Sequence, residues 1–183
     1  FTIDAAIDII GAYEFRLVDL LATGPNALPT LTIPQVGSQF IQPNTTLSAA
    51  SLGREAHVYK LNKDTVGGLQ PIAAGDLFYF DRGGDSMTWK LYDQFGRQVF
   101  GFGTFSSSDS DRPVLNSTGD YYLVIDGLSS NTGATSYTFK IQQLNDTPTA
   151  YTLGTTISGN INVPGKDDRY EFTLATPTVV YFD

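Results

Sequence analysis

Apolar and polar side chains alternate with a period of two along most of this chain, which places successive residues on opposite faces of a β-strand. Tyr13, Phe15 and Leu17 fall on one side, Glu14 and Arg16 on the other. Met87, Trp89 and Leu91 alternate with Thr88, Lys90 and Tyr92 in the same way. Residues 76–81 are apolar almost throughout, the pattern of a strand buried on both faces or at the centre of a sandwich. Asp93-Gln94-Phe95-Gly96 reads as a turn, with residues 97–102 returning as the second arm of a hairpin. A polar loop at 106–111, a strong strand at 120–126, a small-residue loop at 129–135 and a strand at 136–144 follow. Helical periodicity is nearly absent. The best candidate, residues 5–10, is short and ends at Gly11 without a capping pattern. Roughly seven or eight short strands at such spacings predict an all-β chain, a jelly-roll-like antiparallel β-sandwich.

The pattern also recurs. Val179-Val180-Tyr181-Phe182-Asp183 matches Leu77-Phe78-Tyr79-Phe80-Asp81, and Tyr170-Glu171-Phe172-Thr173-Leu174 matches His57-Val58-Tyr59-Lys60-Leu61. Phe1-Thr2-Ile3-Asp4-Ala5 matches Leu123-Val124-Ile125-Asp126-Gly127, and Tyr13-Glu14-Phe15-Arg16-Leu17 matches Tyr137-Thr138-Phe139-Lys140-Ile141. Recurrence in conserved order is the mark of a repeat array. The matches divide the chain into the final strands of a preceding repeat (1–22), a Pro-rich linker (23–45), a complete sandwich (46–145) and the opening strands of a following repeat (146–183). Pro25, Pro29, Pro34 and Pro43 disfavour a central strand in the linker, although Thr30-Leu31-Thr32-Ile33 fits a short edge strand. The alternative is one larger β-domain with internal pseudo-symmetry.

Composition narrows the function classes. The 11 Lys and Arg against 19 Asp and Glu give a net charge of −8, which disfavours nucleic acid or an anionic membrane as a partner. The charge fits solubility and is compatible with calcium. The absence of cysteine excludes a disulfide framework, a thiolate zinc site and a thiol nucleophile. No apolar run approaches the about 20 residues that a membrane-spanning helix needs.

Several segments together resemble the bacterial pre-peptidase C-terminal domain, a jelly-roll-like sandwich. His57-Val58-Tyr59-Lys60-Leu61 resembles its first core strand, Ala74-Gly75-Asp76-Leu77-Phe78-Tyr79-Phe80-Asp81 its glycine turn and following strand, and Trp89-Lys90-Leu91-Tyr92-Asp93-Gln94-Phe95-Gly96 its hairpin. Ser117-Thr118-Gly119-Asp120-Tyr121-Tyr122 and Ser136-Tyr137-Thr138-Phe139-Lys140-Ile141 resemble its later strands. The resemblance implies an extracellular module used in tandem as a spacer, adhesion unit or carbohydrate- or protein-binding appendage. It also implies calcium near the first strand, held by acidic residues. Asp167-Asp168 precedes Tyr170 in the position of that pattern, whereas the central copy carries Arg54-Glu55-Ala56-His57.

Candidate chemistry is sparse. Asp81, Asp85 and Asp93 form the best acidic set, on loops and turns whose oxygens suit calcium; Asp is equally a turn-capping residue. The serine- and aspartate-rich stretch 106–111 lacks the spacing of a helix–loop–helix calcium site. His57, the single histidine, lies on a predicted strand with no nucleophile elbow in the sequence, so no enzyme activity is expected. Trp89, Tyr92, Phe95, Phe100, Phe102 and Phe105 would stack on a sugar only if exposed. Trp89 is expected in the core, while Phe95 in the turn, with Tyr92, is the candidate stacking surface. The sequence therefore points to a structural or adhesive repeat of a large secreted or cell-surface bacterial protein: a stalk, matrix or fibre block. The alternative is a carbohydrate- or protein-binding accessory module of a secreted enzyme, calcium-dependent. Neighbouring repeats or other copies of the chain are the expected partners, then glycan or extracellular protein, with no nucleic acid and no membrane insertion.

Overall fold

The computed structural model describes residues 17, 19–34, 45–47, 56–82, 87–101, 110–113, 115–128, 130 and 132–181. The predicted segments 1–5 and 5–10, most of the strand 13–17, Asp85, Phe102, Phe105, most of the loop 106–111 and Phe182-Asp183 lie outside them.

Thirteen strands are present among the described residues: β1 (Thr30–Ile33), β2 (Thr45–Leu47), β3 (Ala56–Thr65), β4 (Gly68–Gln70), β5 (Leu77–Arg82), β6 (Met87–Asp93), β7 (Gln98–Gly101), β8 (Ser110–Asp111), β9 (Tyr121–Gly127), β10 (Thr135–Tyr137), β11 (Phe139–Leu144), β12 (Thr149–Ala150) and β13 (Tyr170–Glu171). The helical content is one short 3-10 turn at Gly24–Asn26. The chain is all-β, as its alternation predicts.

The first sheet runs β1-β3-β9-β6-β7, with β4 folding back on β3. Facing it are β11-β5-β8 and the small pair β10-β2. Burial follows the pleat. On β6, Trp89 and Leu91 are fully buried while Lys90 and Tyr92 are half-buried on the other face. On β9, Tyr121, Leu123 and Ile125 point inward. The facing sheet contributes Phe78, Phe80, Phe139 and Ile141. Where the two layers meet, Trp89 sits 5.9 Å from Phe80, 5.6 Å from Phe100 and 6.1 Å from Phe139, centroid to centroid. The first two pairs are edge-to-face, the geometry favoured by the ring quadrupoles. The Trp89 indole N–H is buried and has no hydrogen-bond partner among the described residues.

Two details settle alternatives the sequence left open, β5 lying at the centre of its sheet and Thr30–Ile33 forming an edge strand. β5 is not buried on both faces: Phe78 and Phe80 are in the core, but Leu77 and Tyr79 are half-buried on the outer side. The sequence pattern is apolar there because a later segment of the chain packs on Tyr79. The Pro-rich stretch also contributes to the sandwich. β1 pairs with β3 in parallel, Thr30 opposite Lys60 and Ile33 opposite Lys63, and Ile33 is fully buried. Proline is tolerated because β1 is an edge strand. Pro29 needs no donor there and instead accepts from the Lys60 amide at 3.0 Å. Gln143 of the facing sheet clamps this corner, its Nε2 donating to the carbonyls of Ile33 at 3.1 Å and Asp64 at 2.8 Å.

Candidate functional site: the joint after the sandwich

The chain leaves the sandwich at Leu144, the end of β11. Asp146 follows and is buried, although a carboxylate is rarely buried without a partner. Arg112, just after β8, supplies that partner. One guanidinium nitrogen pairs with Asp146 Oδ2, and the other donates to Asp167 Oδ2 at 2.6 Å. The Asp167 amide closes the triangle by donating to Asp146 Oδ1 at 3.2 Å. Arg112 thus joins three parts of the chain that are far apart in sequence. The bonds to Asp167, with the charges of Asp146 and Asp167, outweigh burial and raise its pKa further above the usual arginine range. Planar two-nitrogen donation of this kind is specific to arginine.

The turn that carries Asp167 is fixed by close packing. Gly165 has φ +76°, a left-handed conformation that costs other residues strain. A Cβ there would fall 2.3 Å from Cδ2 of Tyr79. Backbone therefore lies directly on the tyrosine ring, covering the outer face of β5. Lys166 pairs with Asp168, a bond that raises the lysine pKa.

Beyond this contact, β12 and β13 pair in parallel, Thr149 opposite Tyr170 and Ala150 opposite Glu171. The Thr149 and Tyr151 amides donate to the carbonyls of Arg169 and Glu171, each at 2.8 Å. Tyr151 and Phe172 meet edge-to-face at 6.2 Å. The start of the sandwich is similar in sequence and sense, Pro29-Thr30 leading into parallel β1 as Pro148-Thr149 leads into parallel β12, but the registers differ: Thr30 lies opposite Lys60, whereas Thr149 lies opposite Tyr170, the match of His57.

No protein family matches the sequence, and no curated protein matches it. Among solved structures, the chain is similar to the pre-peptidase C-terminal domain of collagenase from Bacillus anthracis at 14% identity, covering 66% of this chain and 100% of that one with a TM-score of 0.43. It is also similar to PliG, a periplasmic inhibitor of g-type lysozyme, from Salmonella Typhimurium (14% identity, 63% of this chain, 97% of that one, TM-score 0.43). The Aeromonas hydrophila PliG matches at 13% identity over 64% of this chain and 99% of that one, with a TM-score of 0.43. A pre-peptidase C-terminal domain is thus among the structures this chain is similar to. At this level of similarity the likenesses decide nothing about what the chain binds.

Of the acidic residues singled out in the sequence, Asp85 lies outside the described residues, and Asp81 and Asp93 lie on different strands. Asp81 lies near the end of β5, beside Ser110 of β8. Asp93 ends β6, seven residues long and rising about 3.3 Å per residue, and so lies at its far end. Its Oδ1 accepts from the amides of Phe95 at 2.9 Å and Arg97 at 3.0 Å, and its Oδ2 from Arg97 Nε at 2.7 Å. Burial pushes the Asp93 carboxyl up, but the Arg97 amide and guanidinium and the Phe95 amide outweigh it and hold the pKa below the usual aspartate value. Asp93 is engaged as a turn cap. In the pair indicated by the family resemblance, Asp167 holds Arg112 and Asp168 holds Lys166. Among the described residues, no three acidic, histidine or cysteine side chains gather where a metal ion would bind.

Phe95 is exposed, at 68%, with the Arg97 guanidinium 5.1 Å from its ring centre. Tyr92 is half-buried on the outer face of β6. His57 points between the sheets, where its Nδ1 lies 2.7 Å from the Tyr137 hydroxyl; that hydroxyl is 2.6 Å from the Tyr59 hydroxyl. No helix among the described residues is long and apolar enough to cross a membrane.

Sequence reasoning missed Arg112 and Asp146. Neither belongs to a recurring pattern, and the one available signal was the acidic pair 167–168.

Proposed function

We propose that this chain is a structural repeat module of a large secreted or cell-surface protein, acting through the spacing and stiffness of its joints. The observation that carries this reading is the segment after β11, fastened to the sandwich by Arg112 through Asp146 and Asp167, whose β12–β13 pair is parallel as β1–β3 is, though in another register. In a stacked array each unit touches only its neighbours, so joint geometry sets the shape of the whole. An arginine held between buried Asp146 and exposed Asp167 favours one orientation where a Gly/Ser linker would allow many. Small-angle scattering of the wild type and Arg112→Ala tests this. A well-defined particle that becomes extended and heterogeneous in the variant supports the reading; equal flexibility in both overturns it.

A second reading rests on Phe95. An exposed aromatic with an arginine over its ring, three residues after Tyr92 in sequence, offers a stacking surface for a sugar or a protein side chain. That would make the chain a binding module, with calcium as its expected cofactor. Glycan and extracellular-protein arrays, with and without chelator, separate the two readings: binding lost in Phe95→Ala favours this one.

A further inference from the structure

The outer face of the first sheet carries a cleft of about 400 Å³, within the range of small-ligand sites, that shares no residue with the joint or with the Phe95 turn. Its floor follows from the pleat. Leu61 and Tyr121 point into the core, so Lys60 and Asn62 on β3 and Asp120, just before β9, face outward. Its wall is the segment 20–28 that leads into β1.

That wall is held by its own hydrogen bonds. Asp19 Oδ1 accepts from the Leu21 amide at 2.9 Å, and the Ala22 amide donates to the Asp19 carbonyl at 3.3 Å. The 3-10 turn at Gly24–Asn26 follows, with the Ala27 amide donating to the Gly24 carbonyl at 3.1 Å. A wall fixed in this way leaves less ordering for a ligand to impose.

Two kinds of surface meet in the cleft. Leu20 and Leu21 are 37% and 78% exposed and, with Leu28, form an apolar side. On the floor, Lys60 Nζ donates to Asp120 Oδ2 at 2.7 Å, so the two charges offset each other. Both side chains stay partly exposed. Asp120 Oδ1 and the Asn62 carboxamide make no hydrogen bond to another described residue. Polar groups of this kind are left to water, which a ligand hydroxyl can replace.

We propose that this cleft binds a neutral carbohydrate. A pyranose ring carries hydroxyls around its rim and C–H groups on its faces. The hydroxyls match the Asn62 carboxamide, Asp120 Oδ1 and the remaining Lys60 protons, which offer donors and acceptors together. The C–H face matches the leucines. A charged ligand gains little, because Lys60 and Asp120 already pair with each other. The proposal rests on the second reading above in taking the chain as a binding module, and it needs no contact with Phe95.

Amide NMR of the full chain tests it, with maltotriose, cellotriose and chitotriose as neutral probes and trigalacturonate as the anionic one. At least one neutral trisaccharide is expected to shift the amides of residues 20–24, 60–62 and 120 saturably. Asn62→Ala should weaken that binding about tenfold, the scale of a lost hydrogen bond, and Leu21→Ala, at an exposed position, should weaken it as well. Unchanged amide shifts in β5 and β11 check that both variants keep the sandwich. No shift with any neutral trisaccharide, or binding undiminished in both variants, would overturn the proposal. Tighter binding of trigalacturonate would overturn the assigned ligand class. Shifts confined to residues 94–97 would overturn the cleft and leave the Phe95 reading standing.

Discussion

Arg112 and Asp167 lie on opposite sides of the joint, and the guanidinium of one donates to the carboxylate of the other at 2.6 Å. Because the same arginine also neutralises buried Asp146, its removal leaves a carboxylate unpaired as well as a contact broken. Arg112→Ala is expected to cost about 2 kcal/mol, the scale of losing charged hydrogen bonds. Hydrogen exchange should speed up at the Asp167 amide. Arg112→Lys should recover little, since an ammonium cannot span both carboxylates in one plane. Chemical denaturation and residue-level exchange measure both effects.

Gly165 and Tyr79 provide an independent handle on the same joint. Gly165→Ala adds a methyl where the tyrosine ring already lies, at a φ that costs non-glycine residues about 1–2 kcal/mol. The variant should release the segment around 165 to limited proteolysis. Adding Tyr79→Ala removes the overlap but not the backbone strain, so the double variant should recover only part of the loss. Full recovery would mean that packing alone sets this glycine.

Asp93 gives a pH signature. Its folded pKa lies below the usual value, so its contribution is complete above the unfolded carboxylate pKa, about 4. It is lost as pH falls through the lower folded value. The stability gap between wild type and Asp93→Asn should be widest near neutrality and shrink below about pH 4. Urea titrations at stepped pH would show this; a gap that widens in acid would contradict it.

The Tyr137 hydroxyl bridges His57 and Tyr59 inside the sandwich. Tyr137→Phe keeps the ring stacked on Phe139, 6.2 Å away, and removes the bridge. The expected loss is about 1–2 kcal/mol, with little change in near-ultraviolet circular dichroism. A neutral result would show that the two remaining groups find other partners.

Strands such as β6 were legible in the sequence because they carry a period-two pattern with one buried face, and β5 because of its short apolar run. Trp89, Leu91, Leu123 and Ile125 are buried as their alternation requires. β1 was harder to place: prolines usually mark a connection, and its membership rests on parallel pairing to residues 30 positions away. The joint was least legible. Arg112 and Asp146 acquire meaning only when folding brings β8, β11 and the turn at 165 together, and no local pattern records that meeting. Asp167-Asp168 stood out as acidic, but a sequence does not show whether a carboxylate will meet a metal ion or an arginine.

The most direct test of the account is the distance between the sandwich and the segment after it. The chain has no cysteine, so single cysteines at exposed Val66 and Ile161 would carry spin labels without background. Pulsed electron–electron resonance on the wild type should give one narrow distance distribution that broadens in Arg112→Ala. A distribution already broad in the wild type, and unchanged by the substitution, would contradict a joint that holds neighbouring units in a fixed orientation.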